Sequence, residues 1–217
     1  EAAADVRGQF ALATDASAQA LRIFEMLRAA KPEQCGYVRD FGVAAARMED
    51  ARALDALQDA EPRCATWQSE QTLGVIRARM RRWDASEQAF ALSLRLSAGN
   101  AVTLNNRAFA RIEQARYDDA LDDLRTALRS APGDRRIANN IDLVEGARGN
   151  RPRRRQGEDD DGAWATRLTF AARGALRAGR TELARALLAQ AVEVGPYHAS
   201  EPSALLAGLA DTGGGVP

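Results

Sequence analysis

Apolar residues recur at three- and four-residue steps along most of the chain, and the strict alternation a half-buried strand needs is absent. The stretch from Ala101 to Asp134 shows the pattern most plainly. Leu104, Ala108 and Ile112 fall on one stripe and Ala120, Leu124, Ala127 and Leu128 on a second, so the spacing predicts two one-sided helices that bury their stripes on neighbours. Tyr117 and Asp118 mark the break, with Asp118 placed to accept from the free amides of the second helix as its N-cap. Pro132 lacks an amide hydrogen and ends that helix, and Gly133 lets the chain turn.

The same spacing recurs on either side. One repeat earlier, Leu73, Gly74, Trp83, Phe90 and Leu94 take the small or apolar places; at the start of the chain Gly8, Ala20, Phe24, Leu27 and Pro32 do so. Cys35 to Thr66 is slightly short but keeps Phe41, Gly42, Ala53, Leu57 and Ala60, and Ala165 to His198 supplies Ala172, Gly179, Ala184, Leu188, Ala191 and Pro196. These residues resemble the tetratricopeptide repeat, a helix-turn-helix unit of about 34 residues. The resemblance implies an all-α fold: a tetratricopeptide-type α-solenoid of five to six helix pairs, in which each pair is buried by its neighbours.

In chain order the pairs are predicted near Ala2–Thr14 with Ala16–Ala29, Gln34–Arg47 with Asp50–Ala60, then the repeats near 67–100 and 101–134. Asp15, Asp84 with Glu87 three residues on, and Thr181 read as N-caps, and Pro62 as a stop. After Asp134 a first helix begins with Ile137, Ile141 and Val144 on one side, but no second helix follows. This gives a solenoid over 1–149 that ends in a half repeat from 135. A charged insertion over 150–162 follows, whose basic run precedes an acidic one (Glu158, Asp159, Asp160, Asp161) and which reads as solvated and partly disordered, or else as a docking tail. Residues 163–211 then read as a C-terminal hairpin with a short cap carrying Leu205, Leu206 and Leu209, and 212–217 as a frayed tail.

Composition narrows the function. Net charge is +0 over 217 residues, so no whole-molecule field favours nucleic acid as a partner. Lys31 is the only lysine, which reads as a codon bias toward arginine rather than as phosphate recognition. No apolar run reaches the roughly 18 residues that cross a bilayer. A chain starting at Glu1 rather than methionine reads as a mature form after removal of a leader, or as a trimmed one. Cys35 opens one helix and Cys64 lies just past the end of its antiparallel partner, so a disulfide between them is geometrically open, beside the alternative of two unlinked small residues.

No constellation for chemistry is visible. His198 is the only histidine, the cysteines lack CxxC spacing, and no glycine-rich loop precedes a helix; the sequence reads as that of a non-enzyme with no cofactor and no metal site. Asp118 with Asp119, and Asp122 with Asp123, suit a helix dipole and a solvated face. Function then rests on a surface. In tetratricopeptide arrays the first helix of each pair lines a groove, and Asn105 and Asn106 recur there one repeat later as Asn139 and Asn140. A carboxamide donates and accepts at once, so two such pairs suit the backbone of an extended segment; the alternative is that one Asn of each pair ties neighbouring repeats. Arg136 and Arg79 would add charge for an acidic group. Gln68 and Thr72 lie on the same face, but where chaperone-tail adaptors of the family carry Lys and Asn, so only Asn106 and Arg136 resemble that set.

A narrower resemblance covers LNNRAFARIEQARYDDALDDLRTALRSAPGDRRIANNIDLVEG, which is similar to the TadD group of tetratricopeptide proteins from bacterial tight-adherence (Flp) pilus loci. GRTELARALLAQAVEVGPYHASEPSALLAGL resembles that group's last repeat. The resemblance implies a periplasmic accessory, lipid-anchored in its unprocessed form and associated with the outer membrane, that helps a secretin or another pilus component assemble. A cytoplasmic adaptor binding a peptide segment of another protein is the alternative.

Overall fold

The computed structural model describes residues 2–154, 157, 159–195 and 200–211. Among them are twelve helices and no strand: α1 (Ala2–Ala13), α2 (Ser17–Ala30), α3 (Cys35–Arg47), α4 (Arg52–Cys64), α5 (Trp67–Arg79), α6 (Trp83–Leu96), α7 (Ala101–Glu113), α8 (Tyr117–Ser130), α9 (Arg135–Arg148), α10 (Asp161–Arg177), α11 (Thr181–Val194) and α12 (Ser200–Asp211). Helices are short and each buries one face on its neighbours, the architecture of an α-solenoid. Two compact units divide within α7, at 1–110 and 111–217.

In the first unit, pairing depends on glycine in the first helix of each hairpin. A Cβ on Gly8 would lie 2.7 Å from the Phe24 ring, on Gly42 2.7 Å from Leu57, and on Gly74 2.6 Å from the Phe90 ring. Those three partners are fully enclosed. Buried hydroxyls reinforce the hairpin of α5 and α6: Ser86 donates to Gly74 O (2.8 Å) and Ser93 to Trp67 O (2.8 Å), which fixes the two helices as antiparallel.

One backbone device recurs through the chain. Asp15, Glu49, Arg81, Ala115, Gly149 and Gly179 all have positive φ, between 56° and 94°. Their spacings are 34, 32, 34, 34 and 30 residues (49 − 15, 81 − 49, 115 − 81, 149 − 115, 179 − 149). In every case the following amide donates to the carbonyl five residues back, as in Ala16 N to Ala11 O (2.8 Å) and Arg116 N to Arg111 O (2.9 Å). This is a left-handed Schellman ending, and it closes each first helix. Four of the six residues are not glycine, at roughly 1–2 kcal/mol each for the left-handed conformation.

That ending explains why several capping expectations fail. Asp118 and Asp84 lie one residue inside α8 and α6, Thr181 is the first residue of α11, and Asp15 is itself a left-handed turn residue. The cap positions are Arg116, Arg82, Arg180 and Ala16, with no side-chain bond, because the Schellman turn delivers the chain into the second helix without one. Asp118 and Asp84 still meet the positive end of the dipole. Side-chain caps occur where the chain arrives from elsewhere: Thr66 with Ser69 on α5, Asp134 on α9 and Asp160 on α10. Pro62 does not stop α4, which continues to Cys64, since in a last turn proline removes a single intrahelical bond.

In the second unit the half repeat takes a specific form. Ala138 and Asn139 from the start of α9 line one cleft with Ala163, Thr166 and Arg167 from the start of α10, and past the far ends Arg180 donates to Ala147 O (2.9 Å). The two helices therefore run parallel. With no second helix between them they come into backbone contact: a Cβ on Gly174 would lie 1.7 Å from Leu143 O, and one on Gly146 1.9 Å from Ala171 O. Gly174→Ala is expected to cost about 2 kcal/mol or more in denaturant unfolding, because backbone cannot rotate away as a side chain can; an unchanged midpoint would show that the helices separate freely.

Between the end of α9 and the start of α10, the described residues 149–154, 157 and 159–160 belong to a strap outside any helix. Most of its described residues are exposed, and several are bonded to the flanking helices. Arg154 pairs with Asp161 (2.5 Å), and Arg167 of α10 reaches Asp159 (2.6 Å), the Arg153 carbonyl (3.1 Å) and Asp142 of α9 (2.7 and 3.0 Å). Asp160 caps α10 and Asp161 opens it, so the end of the acidic run assigned to the insertion belongs to a helix start, while Glu158 lies outside the described residues. In α11 and α12, Leu187 and Leu188 are buried, with Leu205, Leu206 and Leu209 packed on the same cluster. The stop expected at Pro196, the loop histidine His198 and the tail over 212–217 lie outside the described residues.

Candidate functional site

The first helices of the first unit form a polar cleft of about 330 Å³, lined by Gln9 and Ala13 of α1, Arg39, Asp40, Val43 and Arg47 of α3, and Trp67 and Gln68 at the start of α5. Its polar groups are already ordered. Asp40 is buried, accepts from Arg39 Nε (2.6 Å) and Nη2 (2.9 Å), and receives a bond from Gln9 Nε2 (2.5 Å). Arg39 Nη1 extends to Cys64 O (3.4 Å), and Arg47 donates to Leu12 O (2.7 Å).

Of the residues singled out from the sequence, Gln68 lies on this cleft with its side chain exposed. Thr72 is one turn further along α5 and turns its hydroxyl onto Gln68 O (2.7 Å), so the hydroxyl serves its own helix. Arg79 is well exposed, 3.8 Å from Glu49. Asn105 and Asn106 are half-buried on α7. In the second unit Asn139 lines a cleft of about 230 Å³ with Thr166, Arg167 and Asp159, and Asn140 beside it is half-buried. Arg136 folds back on its own cap: Nη2 donates to Asp134 (2.9 Å), and this contact holds the Asp134 carboxyl below its ordinary value.

Gln9, Arg39, Asp40, Arg47 and Trp67 escape a reading by motif because they are scattered over α1, α3 and α5 with no fixed spacing, and only the fold brings them onto one cleft. Cys35 and Cys64 are drawn together as a pair, with Cα atoms 6.2 Å apart, a separation a disulfide spans. Among the described residues no group of three or more His, Cys, Asp or Glu side chains converges as metal ligands would, and no helix is long and apolar enough to cross a membrane.

One buried titratable group stands apart from these faces. Glu70 of α5 is 0% exposed, and neither carboxylate oxygen has a hydrogen-bond partner. Burial, and after it the nearby Glu61, push its carboxyl up to about 7 against the pull of Arg77. Arg77 is committed to Glu61 at 2.9 Å.

Among solved structures the chain is similar to the C-terminal part of a TPR repeat-containing protein from Cytophaga hutchinsonii. The match has a TM-score of 0.59 at 11% identity, over 88% of this chain and 78% of that one. No family model matches the sequence, and no curated protein matches it. Helix order and this likeness together define the class of fold: all-helical, of the tetratricopeptide type.

Proposed function

We propose that the chain is a protein-binding scaffold whose first-helix faces hold an extended segment of a partner, and that it serves as an accessory in assembly of a tight-adherence (Flp) pilus, acting on the outer-membrane secretin in the manner of a pilotin. The observation that supports the binding role is the repetition of carboxamides on first helices within each unit: Gln68, Asn105 and Asn106 in the first, Asn139 and Asn140 in the second. Amides of this kind satisfy a peptide backbone without demanding a particular side chain. The pilus role is supported by the TadD-like run around the two asparagine pairs. It carries with it a periplasmic location at the outer membrane and a lipid anchor on the unprocessed form.

Purified protein is to be titrated with the periplasmic domains of the secretin encoded in the same bacterium. Binding is expected, weakened at least tenfold in Asn106→Ala/Asn140→Ala with thermal unfolding unchanged. Loss of thermal stability with unchanged affinity would assign the asparagines to holding repeats together. No binding, with the protein recovered from the cytosolic fraction of its native cells, would overturn the pilus reading.

A further inference from the structure

The end of α4 lacks the returning backbone amide that closes the other second helices of the first unit. Pro62 sits in its last turn and supplies no amide there, and the terminal residue is Cys64. α2 and α6 each end with the next residue's amide donating back to the helix, Lys31 N to Leu27 O (3.0 Å) and Ser97 N to Ser93 O (2.9 Å). Ala65 after α4 is instead extended, with φ −54° and ψ 139°. The last turn itself is braced by Arg63 on Asp59 (2.7 Å) and by Arg77 on Glu61 (2.9 Å), and its final residue is reached by the approach of Cys64 to Cys35 and the bond from Arg39 Nη1 to Cys64 O. The two contacts of Cys64 lead to the cleft. Arg39 is the residue that holds Asp40, and two residues beyond Cys64 the Thr66 cap starts α5 with Trp67 and Gln68 on the cleft wall.

We propose that Cys35 and Cys64 form a redox clasp that sets the shape of the cleft lined by Gln9, Arg39, Asp40, Trp67 and Gln68. Oxidised, the clasp fixes the Cys64 carbonyl where Arg39 reaches it; reduced, Cys64 and Ala65, beyond the Glu61–Arg77 pair, loosen, Arg39 loses that anchor, and the entry to α5 shifts. Both cysteines are partly exposed, so a small disulfide reaches them. In the exchange one thiolate attacks the small disulfide and expels a thiol, and the second thiolate then displaces the other; two thiol protons and two electrons leave the protein and two small thiols form. The clasp regulates a site taken above to bind a partner segment, and the following readouts require no partner.

In Trp83→Phe/Trp164→Phe protein, which reports on Trp67 alone, hydrogen exchange and tryptophan emission are compared in dithiothreitol and in oxidised glutathione, with alkylation and mass determination to follow the thiols. Reduction is expected to speed exchange of the amides of residues 63–69 at least tenfold and to red-shift Trp67, with the rest of the first unit unchanged and with full reversal on oxidation. Arg39→Met in oxidised protein is expected to reproduce the Trp67 shift. Uniform loosening of the first unit on reduction would make the pair a general staple and overturn the proposal. So would an unmoved Trp67, or thiols that oxidised glutathione leaves unpaired. Loss of partner binding in both redox states with an intact clasp would count against the peptide-binding reading alone.

Discussion

Arg167→Ala is expected to destabilise the second unit by about 3–5 kcal/mol, the usual cost of leaving buried charges without their counter-charge. The Arg167 side chain is 13% exposed and those of Asp142 and Asp159 are 6% and 8% exposed, so little water can replace the lost guanidinium. Four bonds disappear together, and they come from three places: α9, the strap carboxylate of Asp159 and the strap carbonyl of Arg153. Trp164, buried in α10 with Arg167 5.7 Å from its ring, provides a local probe for denaturant unfolding. The control is Arg151→Ala, an exposed strap position, which should move the midpoint by no more than about 0.5 kcal/mol. Equal effects from the two substitutions would mean that the strap is not latched.

Glu70→Gln should do the opposite, and only at high pH. The folded-state carboxyl is raised from its ordinary 4.5 to about 7, so between those values the unfolded chain has released a proton that the folded chain still holds. Stability of the first unit therefore falls as pH rises through that window and is level on either side of it. At about 1.36 kcal/mol per pH unit the interval amounts to about 3 kcal/mol. Glutamine carries no proton to lose. It should raise stability at pH 8 by up to about 3 kcal/mol and leave it nearly unchanged at pH 4, measured by urea unfolding at both. A gain of the same size at both pH values would show that packing, not ionisation, is responsible.

The helix pairs were legible because their code is redundant: a small residue in the first helix faces a large one in the second, as Gly8 does Phe24 and Gly74 does Phe90. Any copy of that pattern reads through noise. The turns were not legible, since a left-handed position filled by Asp15, Glu49, Arg81 or Ala115 looks like any surface residue until its φ is known. Thr66 with Ser69 does not read as a cap for a similar reason, because Ser69 stands where the Glu or Gln of a capping box is expected. Glu70 likewise reads as a solvent-facing acid from its neighbours Ser69 and Gln71, and only three-dimensional enclosure sets it apart. The missing second helix after α9 could be read directly, but not its consequence, that α10 would slide in beside α9 until their backbones touch.

That contact changes how the second unit comes apart. Hairpins that meet through flexible side chains can peel away one after another from a free end, each loss exposing the next. Where Gly146 and Gly174 bring main chain against main chain, peeling that starts at α12 has to stop, because α9 and α10 can separate only as one body. The shortened repeat thus acts as a firebreak, and its amides should be the last in that half of the chain to trade their protons with water.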